Sequence, residues 1–287
     1  GTKWNFISLD EYASMDSNTW TSILRPTLSD TEGHALFIGT PFGRNHFWEL
    51  YNNASVLGDW SSHQFTTEQG GNVAPEEIEA SKRDLDERTF NQEFNATFED
   101  NKGTIAYAYD KDNLRPAPQL SPSNALHIGM DFNTDNFAAC VMLQNRDTLH
   151  VIDEFMLQNS STHDMCKEIQ QRYGKRMIFV YPDASGNQRK TSANGMTDHL
   201  ILHNAGFIVR NPKSNPAVKD AITAVNSRLR STTGEIKLYI DPNCRHTIDC
   251  LTKYTYKEGT RIPDKTGAYD GMFDALKYAV WQLFPLQ

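Results

Sequence analysis

The 287-residue sequence contains few features that would place it in a membrane or in a disulfide-bonded class. No apolar run approaches the ~20 residues that a transmembrane helix requires. Only four cysteines occur, none of them in a C-x-x-C pair, and nothing like a signal peptide precedes them. These absences predict a globular protein with no membrane partner, folded in a reducing compartment such as the cytosol.

A zinc site is also poorly supported. Cys244, His246 and Cys250 are the one place where cysteine and histidine cluster, and their spacing fits no common zinc pattern. Unpaired cysteines are more often small buried hydrophobes than metal ligands. The sequence therefore favours buried thiols here.

The acidic charge is distributed unevenly along the chain. The formal net charge is −8, from 28 basic and 36 acidic residues. Residues 1–124 contain 9 Lys and Arg and 19 Asp and Glu, a net charge of −10. Residues 125–287 contain the other 19 basic and 17 acidic residues, a net charge of +2. A uniformly acidic surface would argue against a nucleic-acid partner. The second half of the chain is not acidic overall, so this argument does not apply to it.

The first half has the pattern of an α/β sheet. Two short apolar runs, at 4–9 and 34–39, are typical of buried strands, and a helix-like stretch at 18–28 separates them. This order predicts parallel strands. A long acidic helical pattern follows at 75–96, which we interpret as a small helical subdomain.

The second half begins after a Pro- and Ser-rich segment, 105–124, which has no helical or strand period and which we predict to be a linker. We therefore expect domains at 1–104 and 125–287. After the linker the pattern predicts an antiparallel meander, then alternating helices and strands, at 126–132, 137–144, 149–156, 162–173, 177–181, 197–204, 207–210, 216–230 and 270–284.

Isolated carboxylates stand at the ends of apolar elements in this second half. Asp131 lies in the first strand of the meander, Asp183 follows a later strand, and Asp270 and Asp274 begin the last helix. Carboxylates brought together repel one another unless cations neutralise them. A pair of Mg²⁺ or Mn²⁺ ions takes oxygen ligands and can stabilise both the attacking and the leaving oxygen of a phosphodiester.

These residues carry a resemblance to a known family. The segment Asp270-Gly-Met-Phe-Asp274-Ala-Leu-Lys-Tyr is similar to the motif that closes the metal site in the ribonuclease H-like nuclease domain of large terminase subunits from tailed double-stranded DNA bacteriophages. The resemblance implies a mixed sheet flanked by helices and a two-metal endonuclease. Its catalytic metal ligands would be Asp131, Asp183 and Asp274, with Asp270 as the alternative third ligand.

The first half resembles the ATPase domain of the same family, and the resemblance implies that it is the C-terminal part of that domain's parallel sheet. Asp10 and Glu11 follow a strand as in a Walker B motif, where Asp holds Mg²⁺ and Glu activates water, and residues 37–41, with Thr40, resemble the coupling motif. No G-x-x-x-x-G-K-[ST] occurs, so the phosphate-binding loop is absent. Because the chain opens with Gly1 on strand-like sequence, we expect a fragment whose parent binds ATP through a preceding part.

Basic residues border the predicted nuclease site. One group lies in a polar loop or hairpin that leads into Asp270 and consists of Lys253, Lys257, Arg261 and Lys265. The other group follows Asp183 and consists of Arg189 and Lys190. Contacts of this kind to phosphate give sequence-independent, salt-sensitive binding. We predict that they bind double-stranded DNA.

The resemblance further implies a place in a viral packaging motor. The substrate would be concatemeric viral DNA, and the partners would be the portal protein, the small terminase subunit and further copies of the chain in a ring, in the host cell cytoplasm. Two alternatives remain open. One is a resolvase- or transposase-type enzyme with the same acidic cluster, and the other is a protein-docking motor module with suppressed nuclease activity.

Overall fold

The computed structural model describes residues 2–54, 58–99, 103–133, 135–174, 176–187, 196–210, 212–257, 260 and 262–285. The chain divides into two compact units. The first unit comprises Gly1–Lys82 and Glu87–Lys102, and the second comprises Arg83–Asp86 and Gly103–Gln287. Over the described ranges, no helix has the length and apolar character needed to cross a membrane.

The first unit contains a small parallel sheet, as the sequence pattern predicts. Strand β1 (Phe6–Leu9) pairs with β2 (His34–Phe37) in parallel register. A π-helical turn, Thr19–Leu24, connects them and continues into the short helix α1 (Arg25–Leu28). The apolar core of this unit forms around Leu9, Tyr12, Trp20 and Leu28.

Four helices complete the first unit. They are α2 (His46–Asn53), α3 (Thr67–Gly70), α4 (Pro75–Asp84) and α5 (Glu87–Phe94). The helical pattern at 75–96, which we interpret as a small helical subdomain, forms the two helices α4 and α5. The break is at Leu85 and Asp86, which belong to the second unit: the Leu85 carbonyl accepts a hydrogen bond from the Thr232 N–H at 2.8 Å instead of continuing the helix.

The second unit is built on a six-stranded mixed sheet in the order β7-β6-β3-β4-β5-β8. The strands are β3 (Leu126–Asp131), β4 (Asn136–Asn145), β5 (Thr148–Gln158), β6 (Ile178–Pro182), β7 (Ile208–Val209) and β8 (Leu238–Ile240). Strands β3, β4 and β5 form the predicted antiparallel meander, and β6 pairs with β3 in parallel. The predicted fold class is confirmed.

Helices cover both faces of this sheet, as its two separate apolar clusters show. They are α6 (Thr162–Tyr173), α7 (Asp198–Asn204), α8 (Val218–Leu229), α9 (Arg245–Lys253) and α10 (Asp270–Leu283). Helix α10 contributes Phe273 and Leu276 to one cluster, and α6 contributes Met165 and Ile169 to the other.

The segment predicted as a linker is packed into the second unit. Ile105 and Ala106 are buried in the cluster under α10, and Asn113 donates hydrogen bonds to the carbonyls of Leu229 and Leu238. Its irregular backbone is satisfied by contacts distant in sequence, which local composition does not encode. The predicted domain bounds themselves stay a prediction.

The four cysteines of the described chain are all buried and unpaired. Burial raises the pKa of the Cys244 and Cys250 thiols above its usual value. Protonated, buried thiols match the interpretation of these residues as small hydrophobes.

Candidate nuclease site

Four carboxylates meet at one edge of the second sheet. Asp131 is the last residue of β3, and Asp183 directly follows β6, its parallel neighbour. Asp270 and Asp274 stand in the first two turns of α10. Parallel strands end at the same sheet edge, so β3 and β6 deliver their carboxylates side by side.

The carboxylates line a cavity of about 560 Å³ together with two lysines, two asparagines, a tyrosine and apolar side chains. The lining includes Asp131, Asp183, Asp270, Asp274, Lys265, Lys277, Asn215 and Tyr278. The start of α10 approaches β3 closely, since a Cβ added at Gly271 would stand 3.6 Å from Asp131 Oδ2.

Among the carboxyl groups of the cavity, Asp131 has a strongly raised pKa. Burial, followed by the carboxylates of Asp274, Asp183 and Asp270, raises the pKa of Asp131 to about 7. The nearby Lys277 ammonium lowers it in part. The nearby negative charges therefore disfavour its ionised form. A cation bound in the cavity would remove this repulsion.

Two lysines already neutralise part of the cluster. The Lys277 ammonium, buried on α10, donates to Asp274 Oδ1 at 2.5 Å. Burial still raises the pKa of Asp274, while Lys277 lowers it. At the cavity rim, the Lys265 Nζ lies 3.4 Å from Asp270 Oδ2. Partial burial lowers the pKa of Lys265, but the carboxylates of Asp274 and Asp270 outweigh this effect and raise it.

The residues present fit a hard divalent cation in their chemistry. Carboxylate oxygens are the donors that Mg²⁺ and Mn²⁺ prefer, and burial together with three neighbouring carboxylates raises the pKa of Asp131. Within the described part of the chain, no three His, Cys, Asp or Glu side chains converge as a ready-made metal group.

The predicted basic residues lie at different places. Lys265 lines the cavity, whereas Lys253 is exposed at the end of α9 and pairs with Asp249 at 2.8 Å. Lys257 is exposed on the predicted hairpin, whose Tyr256 and Pro263 form an antiparallel bridge. Arg189, Lys190 and Arg261 lie outside the described residues.

In the first unit, the two predicted ATPase motifs lie next to each other. Asp10 and Glu11 follow β1, Thr40 follows β2, and a Cβ at Gly39 would stand 3.1 Å from the Glu11 Cα. Glu11 adopts a left-handed backbone with φ of 53°, and its N–H contacts Asp10 Oδ1 at 3.1 Å. The roles predicted for Asp10, Glu11 and Thr40 stay predictions.

Sequence reasoning missed several side chains of the cavity, among them Asn215 and Tyr278. Asn215 stands on a segment between β7 and α8 that has no periodicity, so no pattern pointed to it. Tyr278 lies one turn after Asp274 on α10, and this spacing would have placed it on the same helix face.

The fold defines a class of protein: a six-stranded, ribonuclease H-like mixed sheet in the second unit and a two-stranded parallel sheet in the first. No family model matches the chain. Over its whole length it is nevertheless similar to large terminase subunits. It is 26% identical over 99% of its residues to the large terminase subunit of Escherichia phage T5, and 22% identical over 89% to that of Thermus virus P23-45.

A solved structure shows the same fold. The large terminase of a thermophilic bacteriophage, in complex with ADP, superposes on 99% of the chain and 71% of its own length, with a TM-score of 0.66 at 16% identity. In sequence, the chain is similar to large terminase subunits of bacteriophages. It spans 66% and 56% of the lengths of the two curated relatives named above.

Proposed function

We propose that the second unit is a metal-dependent endonuclease that cuts concatemeric viral DNA during genome packaging. The observation that carries this proposal is the group of four carboxylates, from β3, β6 and α10, on one cavity. Burial and the neighbouring carboxylates both raise the pKa of Asp131, so the ionised group is unfavourable without a cation. A structural role alone gives no reason for it.

Asp131, Asp183 and Asp274 are the residues we propose as ligands for Mg²⁺ or Mn²⁺. Asp274 is favoured over Asp270 as the third ligand because its carboxylate affects Asp131 more strongly and is more deeply buried. When bound, two such ions would activate water and stabilise the charge that develops on the phosphodiester. Asp270, held by Lys265 at the rim, would keep that lysine beside the entering phosphate.

Lysines outside the cavity would hold the DNA backbone. Replacing Lys253 and Lys257 together by Ala is expected to reduce the slope of log affinity against log salt by about 2, roughly one for each lost phosphate contact. The measurement is fluorescence anisotropy with a labelled duplex at several salt concentrations.

A matched control removes two lysines from the first unit. Lys3 and Lys82 are paired with the carboxylates of Asp30 and Glu79, as Lys253 is with Asp249. Their joint replacement by Ala should leave the salt slope unchanged. An unchanged slope in the Lys253 and Lys257 double variant would remove that surface from the DNA-binding face.

The remaining activities belong to the whole motor protein. We propose that ATP acts through Asp10, Glu11 and Thr40 only together with a phosphate-binding loop that this sequence does not contain. The partners proposed are the portal protein, the small terminase subunit and further copies in a ring, in the host cytoplasm. The similarity to the thermophilic phage terminase, whose structure contains ADP, supports the nucleotide part of this proposal.

A plasmid-nicking assay tests the nuclease proposal. Supercoiled DNA should be cut with Mg²⁺ or Mn²⁺ and stay intact with EDTA. A variant that lacks the exposed Asp147, between β4 and β5, should cut like the wild type, because this carboxylate lies outside the cavity. Absence of cutting under every metal condition would instead favour the second candidate, a docking module with suppressed nuclease activity.

A further inference from the structure

We infer that Asn215 is a positioning residue that fixes the orientation of the Asp183 carboxylate and leaves Oδ2 as its metal-binding oxygen. The inference rests on the proposed function, because it concerns how this chain presents a carboxylate to a divalent cation. It assigns a role to a side chain that lies outside every sequence motif.

One oxygen of Asp183 is fully engaged by the protein. Oδ1 accepts a hydrogen bond from the Ser185 N–H at 2.7 Å and another from the Asn215 Nδ2 at 2.7 Å. Two short N–H donors on one carboxylate oxygen occupy both of its lone-pair directions. Oδ1 is therefore a poor candidate for a metal bond.

The other oxygen is held more loosely. Oδ2 accepts a hydrogen bond from the Tyr278 hydroxyl at 3.3 Å, beyond the usual O–H···O distance. Tyr278 and Asp183 both line the cavity. Among the described residues, no shorter contact to Oδ2 competes with an incoming cation.

The orientation of the Asn215 amide follows from its partners. Its Oδ1 accepts from the Ala184 N–H at 2.9 Å, while its Nδ2 donates to Asp183. A backbone N–H only donates and an ionised carboxylate only accepts, so a flipped amide would lose both bonds. The amide thus links the Asp183 side chain to the main chain of the next residue.

The backbone of Asp183 is fixed independently. Its N–H donates to the Met130 carbonyl at 3.2 Å, and its carbonyl accepts from His199 Nε2 at 2.9 Å. With the main chain held, rotation of the side chain is the freedom that remains. Asn215 and Ser185 remove that freedom before any cation binds, which lowers the entropy lost on binding.

The test measures Mn²⁺ affinity by electron paramagnetic resonance on the full chain, with no DNA present. Asn215→Ala is expected to weaken Mn²⁺ binding by about 10- to 100-fold, the usual effect of losing a residue that orients a ligand. Asn215→Gln keeps both functions of the amide and should bind more tightly than Asn215→Ala.

Asn243→Ala is the matched control. Asn243 donates to Asp241 Oδ1 at 2.9 Å, the same type of bond in the same unit, and neither residue lines the cavity. This variant should keep wild-type Mn²⁺ affinity. The thermal midpoint of Asn215→Ala in EDTA should fall no further than that of Asn243→Ala.

The outcomes separate the inference from the function on which it rests. If the wild type binds no Mn²⁺, the proposed function fails. If the wild type binds and Asn215→Ala binds equally well, the positioning role is wrong. The positioning role is also wrong if Asn215→Ala loses more thermal stability than Asn243→Ala does. It is likewise wrong if Asn215→Gln binds Mn²⁺ no more tightly than Asn215→Ala.

Discussion

Replacing Asp131 by Asn is expected to abolish metal-dependent DNA cleavage and, at the same time, to stabilise the metal-free protein at pH 8. The first effect follows from the loss of a proposed metal ligand at the end of β3. The second follows from the electrostatics of the cavity, where burial and the carboxylates of Asp274, Asp183 and Asp270 raise the pKa of Asp131 to about 7.

The sign of the stability effect comes from proton linkage. The ordinary pKa of 3.8 applies to the unfolded chain and about 7 to the folded one, so between these values the folded state binds more protons. The free energy of unfolding therefore falls as pH rises through this window. Above pH 7 the ionised Asp131 costs up to about 4 kcal/mol, of which we expect the uncharged Asn to recover roughly 2 kcal/mol.

Thermal unfolding in EDTA at pH 5 and pH 8 measures this effect. The Asn variant should exceed the wild type clearly at pH 8 and by much less at pH 5, while added Mn²⁺ should stabilise the wild type alone. Lower stability of the variant at pH 8 would show that Asp131 is not under electrostatic strain.

Asp241→Asn provides a control of opposite sign. Burial alone raises the pKa of Asp241, but hydrogen bonds from the N–H groups of Asn243 and Ala117 outweigh it and lower the pKa below its ordinary value. The ionised form of this carboxyl therefore stabilises the fold at pH 8, and the same substitution should destabilise it.

The sequence predicts the parts of the site that depend on local pattern. The alternating run at 126–132 places Asp131 within a strand, and the buried apolar run at 177–181 places Asp183 just after one. The apolar stripe of the last helix places Asp274 near its start. The convergence of these residues follows from a general property of parallel strands, whose carboxyl ends share one sheet edge. For this reason the candidate ligands were predictable without coordinates.

Features that depend on contacts distant in sequence were not predictable. The helical pattern at 75–96 does not show that the Leu85 carbonyl accepts a hydrogen bond from Thr232, so the break between α4 and α5 is not visible in it. Composition does not show that Asn113 bonds the carbonyls of Leu229 and Leu238, so 105–124 has the pattern of a linker. The pairing of Lys277 with Asp274 depends on burial, which the sequence gives only indirectly.

The close packing of α10 against Gly129 on β3 is also not visible in the sequence pattern. Replacing this glycine should have a large effect on stability. A Cβ at this position would stand 1.8 Å from the Ala275 carbonyl oxygen and 3.3 Å from the Ala279 Cβ. Helix α10 thus lies against the bare backbone of β3. A glycine inside a strand often marks such a close approach.

Gly129→Ala is expected to destabilise the second unit by about 3 kcal/mol, because the obstructing atom is backbone and α10 must move as a whole. Gly129→Val should prevent this unit from folding. The shift would carry Asp274 away from Asp131, so Mn²⁺ affinity should fall together with stability. Urea unfolding followed by circular dichroism and Mn²⁺ titration of the Ala variant measure the two effects.

Gly70→Ala is the control for this substitution. A Cβ at Gly70 meets nothing within 4 Å, and the residue ends α3 without a left-handed backbone. Its replacement should leave the unfolding curve and the Mn²⁺ affinity unchanged. If Gly129→Ala were equally harmless, α10 would have room to retreat from β3. The distance between Asp131 and Asp274 would then be adjustable rather than fixed by this contact.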